Sequence, residues 1–62
     1  MKFKELEPGM VVKQHENFLT VISVARSVDP HVTTILWMSD VVYERTYWNE
    51  HVISFFDMKF VK

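Results

Sequence analysis

Read with the period of two that a β-strand imposes, the run Val32 to Met38, VTTILWM, turns Val32, Thr34, Leu36 and Met38 to one side and Thr33, Ile35 and Trp37 to the other. Both sides are apolar enough to seek burial. A chain of 62 residues has room for one small core. One of the two sides must therefore be covered by something outside that core, or left open.

Few devices are available to stabilise such a chain. Domains of this size supply only about 3–5 kcal/mol from packing and usually add disulfides, a metal or a partner chain. Cysteine is absent, which excludes disulfides and thiolate zinc sites. Packing and self-association remain. Hydrophobic residues make up 48% of the chain and aromatics 15%, more than so small an interior can absorb, so some must face outward. Seven Lys and Arg against eight Asp and Glu give a net charge of -1, which offers no global field to nucleic acid or an anionic membrane. The start of the chain, MKFKELEPGM, is charged and lacks an apolar signal region, and no run approaches a membrane-spanning length. The expected compartment is the cytoplasm.

Turn and strand signals divide the chain into a single domain, residues 1–62. Pro8 and Gly9 suit the two central positions of a type II turn and lead into a first strand over Met10 to Lys13. QHEN is polar and reads as a loop. FLTVISVARSV, Phe18 to Val28, is dense in β-branched residues and predicts a long second strand. Asp29 and Pro30 make a turn, because the residue before a proline is pushed out of the helical region. The third strand follows, then a reversal at Ser39 and Asp40, and a fourth strand over Val41 to Trp48. After a short turn at Asn49 to His51, the segment Val52 to Val61 reads as strand, broken near Asp57. A rival reading makes Val41 to Phe56 one amphipathic helix, against which the β-branched and aromatic content argues.

Five short strands with tight turns predict a mainly β domain, a five-stranded small barrel or rolled antiparallel sheet with at most one short helical turn. The succession LEPGMVV, LTVISVA, VTTILWMSD, an aromatic strand and a closing VISFF resembles small SH3-like barrels, including short phage and bacterial proteins. That resemblance implies a fold whose members bind peptides, bind RNA or assemble, without selecting among these roles. For a phage protein of this size it implies action by blocking or sequestering a host component.

The chemistry-bearing residues are sparse. His15, His31 and His51 fall in three separate loops without the spacing of a ligand set, and are expected to be ordinary loop residues; no metal and no cofactor is expected. The serines, Ser23, Ser27, Ser39 and Ser54, lack the glycines of a nucleophile elbow. With one glycine there is no phosphate-cradling loop. Asp40 and Glu44 could pair as carboxylates, but strand ends often carry such charges for solvation. Catalysis is not expected.

The apolar surplus points instead to contact with another chain, because Tyr, Trp, Met and Arg are enriched where proteins meet. Ile35, Trp37, Tyr43, Arg45 and Tyr47 share a phase across strands three and four and form the expected partner-binding face. The partner is a protein or an identical copy, with a homo-oligomer favoured because a marginal domain gains most simply from symmetric burial. The alternative is a barrel that stacks a nucleotide or single-stranded nucleic acid on its aromatics, with Arg26, Arg45 and Trp48 as the contacts. Membrane binding is not expected. The site list depends on phase, since a slip of one residue exchanges inward for outward side chains.

Overall fold

A computed structural model describes residues 1–26 and 28–62. The expected second strand runs to Val28, but Val28 lies outside any strand and Ser27 is outside the described residues. Five antiparallel strands form one sheet: β1 (Val11–Gln14), β2 (Asn17–Arg26), β3 (Val32–Met38), β4 (Val42–Trp48) and β5 (Met58–Phe60). Their order is β4-β3-β2-β1-β5, so β4 and β5 are the two edges. The mainly β class is as the β-branched content predicts. No pairing joins β4 to β5 among the described residues. No helix among the described residues is long and apolar enough to cross a membrane.

The turns follow their chemistry. Met10 N–H donates to the Glu7 carbonyl at 3.2 Å across Pro8 and Gly9, and Gly9 takes a φ of 94°, as the third position of a type II turn requires. QHEN is tighter than a loop: Gln14 pairs with Asn17, leaving only His15 and Glu16 as the turn. β2 is long because it serves two neighbours. Its first half pairs with β1 and its second with β3, and the register shifts between Val21 and Ser23 where one partner gives way to the other. A bulge at such a point bends the strand, and so rolls the sheet around its core.

Two segments depart from the strand pattern. Ile53–Phe56 forms a 3-10 turn where a strand was expected. The rival long helix does not form either, because Val42–Trp48 is fully paired with β3. Burial explains the 3-10 turn: Ile53 and Phe56, three apart, face the core while Ser54 and Phe55 are exposed, a period of three rather than two. Asp57 ends it with a φ of 60°, donating its N–H to the Ile53 and Ser54 carbonyls. At the amino terminus Phe3–Glu5 is a second 3-10 turn, which puts Phe3 and Leu6 in the core at full burial.

The core is therefore built from one face of the rolled sheet and from both 3-10 segments. Val12, Leu19, Val21, Ile35, Trp37, Tyr47 and Met58 come from strands, and Phe3, Leu6 and Ile53 close it from the side. Phe3 stacks on Tyr47 with ring centroids 4.0 Å apart and 6° between planes, and Phe56 meets both rings edge-on. Offset and edge contacts between rings add about 0.5–1.5 kcal/mol each to the area they bury.

Candidate functional site

The structure reverses the phase expected for the contact face. Ile35 and Trp37 are completely buried and Tyr47 nearly so, all three in the core; Tyr43, half-buried, packs against them. Ile35, Trp37 and Tyr47 present almost no surface to a partner, and Tyr43 keeps part of its own. The physical reason is area: the larger rings lie on the inner side, where closing over them removes the most apolar surface from water. Arg45 belongs to the same phase but is exposed, on the edge strand β4.

The other face carries Val32, Thr34, Leu36 and Met38 of β3, paired in turn with Trp48, Thr46, Glu44 and Val42 of β4. At its centre the hydroxyls of Thr34 and Thr46 bond to each other at 2.8 Å. Toward the β3–β4 turn lie Leu36, Met38 and Val42. Met38 is 48% exposed and Val42 56%. The β4 residues of this face, Val42, Glu44, Thr46 and Trp48, are all exposed, and Val32, Thr34 and Leu36 of β3 are half-buried. The carboxylate of Glu44 shares it, a signal for the water side that Arg45, on the other phase of the same strand, offsets.

At the opposite end of β3 and β4, a cavity of about 350 Å³ is lined by Lys4, Pro30, His31, Trp48, Asn49 and Glu50. Its base is a polar lattice around Asn49. The Asn49 N–H donates to the His31 carbonyl at 2.8 Å, its Nδ2 to the Pro30 carbonyl at 2.7 Å, and its own carbonyl accepts from Lys4 N–H at 3.2 Å. The buried Thr33 hydroxyl donates to Asn49 Oδ1 and accepts from Arg26 Nη1 at 2.8 Å. Arg26 Nη2 reaches the Lys4 carbonyl at 3.2 Å. One asparagine thus ties the amino-terminal turn, the β2–β3 hairpin and the end of β4 together.

Charges at the rim neutralise one another. Lys4 Nζ lies 2.8 Å from Glu50 Oε2, and Lys2 Nζ 3.3 Å from Oε1. The bond to Lys4, and then that to Lys2, holds the Glu50 carboxyl below the usual range, while Glu50 raises the Lys4 ammonium above its own. Of the residues expected to contact a nucleotide, Trp48 lines this cavity, and Arg26 is one hydrogen bond from Lys4, with its guanidinium already engaged. Arg45 is not brought to it, being on the opposite face of β4 from Trp48.

The three histidines stay apart. His15 faces Asp57 at 4.0 Å, His31 lines the cavity, and His51 stacks on Phe55 with centroids 5.0 Å apart. No group of three or more His, Asp or Glu among the described residues is placed to hold a metal. Sequence reasoning missed Asn49 and Lys4 as site-builders, since neither carries a motif. No protein-family model matches the chain, and comparisons with curated proteins and with solved structures find no match.

Proposed function

We propose that the protein is a non-catalytic interaction module that associates with its own copies through the outward face of β3 and β4. The observation that supports this is the cross-strand pair Met38 and Val42, directly opposed and both about half exposed, with Leu36 two residues along on the same face of β3. Large apolar side chains scattered singly over a surface are ordinary; a contiguous group on a sheet face is a contact signal. Burying it against a second copy adds apolar area that a domain of 62 residues lacks. In this reading the chain acts as SH3-like modules do, by contact, and its compartment is the cytoplasm, since a cysteine-free chain draws nothing from an oxidising one.

Light scattering across a hundredfold dilution, at low and high salt, tests it. The wild type is expected to exceed monomer mass and to lose little of that association in high salt, because apolar contacts are not screened. Met38→Glu is expected to give a folded monomer whose urea midpoint no longer rises with protein concentration, as that of the wild type should. A wild-type chain that is monomeric at every concentration refutes self-association.

A further inference from the structure

The cavity beside Trp48 is at the lower end of the roughly 300–1,000 Å³ range of small-ligand pockets. Its base is rigid, since every polar group of Asn49 is engaged. Its apolar walls are Pro30 and the indole of Trp48, a ring 55% exposed. Trp37, by contrast, is sealed in the core.

The charges decide the class of ligand. Lys4 and Lys2 are both spent on Glu50. An incoming phosphate would have to pull a lysine from Glu50 and then sit beside the freed carboxylate. An incoming cation would have to displace the lysines. An uncharged planar ring breaks no pair: it stacks on the indole, while the remaining Lys4 protons and Glu50 lone pairs bond its edge. We propose that this cavity is a stacking site for an uncharged heteroaromatic ring of the nucleobase type, seated on Trp48 and edge-bonded by Lys4 and Glu50. Such a ring can belong to a free nucleoside or to a single strand of nucleic acid. The net charge of -1 makes base contacts, rather than phosphate contacts, the source of binding in either case.

Titration of the ¹⁵N-labelled protein with adenosine and uridine, followed at the two indole N–H resonances, tests the assignment. Saturable movement of the Trp48 indole and of the His31, Asn49 and Glu50 amides is expected, with the Trp37 indole fixed. Trp48→Leu, at an exposed position, is expected to weaken binding about tenfold or more, and Trp48→Phe much less. The unmoved Trp37 resonance reports that both variants are folded. Adenosine monophosphate is expected to bind no better than adenosine. An oligouridine that binds more tightly than its number of bases accounts for identifies a nucleic-acid strand as the source; equal binding per base identifies the free nucleoside. The proposal is overturned by the absence of saturable movement up to nucleoside solubility, by binding that survives Trp48→Leu, by a monophosphate preference that collapses with salt, or by stronger binding of tetramethylammonium.

Discussion

The indole Nε1–H of Trp37 donates to the phenol oxygen of Tyr47 at 2.9 Å inside the core, with the two rings nearly perpendicular at 87°. Both residues come from the inward phase of neighbouring strands, and the bond satisfies the one polar atom on each ring. Tyr47→Phe removes the acceptor and leaves a buried N–H with no partner. The expected cost is about 1–3 kcal/mol, the penalty of an unsatisfied buried donor. The half-buried Tyr43 provides the comparison, and Tyr43→Phe is expected to cost clearly less. Urea denaturation of both variants measures this; equal losses would deny the bond its role.

Alkaline pH should act through the same phenol. Burial raises the Tyr47 pKa above its ordinary value of 10.0, a rise that the bond from Trp37 and the charge of Arg45 oppose. A tyrosine whose folded value is raised contributes stability that is fully present below the unfolded value and is lost as pH climbs through the folded one. Stability measured by urea should therefore fall with rising pH from about 10 upward, and Tyr47→Phe should flatten that slope. A slope that persists unchanged in Tyr47→Phe assigns it to other groups.

The strands were legible from β-branched density and from turn residues such as Pro8 and Gly9, because these express local backbone preferences. The phase of β3 and β4 was not. Both faces of VTTILWM are apolar, so periodicity alone cannot choose between them, and the choice falls to three-dimensional closure over Trp37 and Tyr47. Phe3 was hidden for a related reason: in FKEL it stands three residues from Leu6, a single 3-10 turn too short to show as a period. Ile53 and Phe56 repeat that spacing inside a segment whose composition reads as strand. The cavity was the least legible part, since Asn49 and Lys4 acquire their roles only when the chain ends of β2, β3 and β4 meet.

Glu50 provides a titration with a defined order of effects. Its carboxyl is held below the ordinary value of 4.5, first by the bond to Lys4 and then by that to Lys2. A carboxyl whose folded value is depressed contributes stability that is present above the unfolded value and lost as pH falls through the folded one. The group is fully exposed and solvent-screened, so the titration itself is the informative measurement. Carbon-detected NMR should place the Glu50 midpoint below 4.5. Lys4→Ala should raise it more than Lys2→Ala, and high salt should shrink the difference. The reverse order would mean that the Lys2 bond dominates.

Two turn positions with positive φ should respond to substitution with opposite sign. Gly9 has a φ of 94°, and a Cβ built there would meet nothing within 4 Å. Any loss on Gly9→Ala is therefore backbone strain without steric contact, expected at about 1–2 kcal/mol. His15 carries a φ of 55° at the first of two central residues in the β1–β2 hairpin, where glycine is the usual occupant. His15→Gly relieves that strain but gives up the long, exposed contact to Asp57 at 4.0 Å, an interaction worth little at a solvated surface. Relief should win, and the variant should gain about 0.5 kcal/mol. Paired urea midpoints decide the matter: destabilisation by His15→Gly would show that the Asp57 contact outweighs the turn strain.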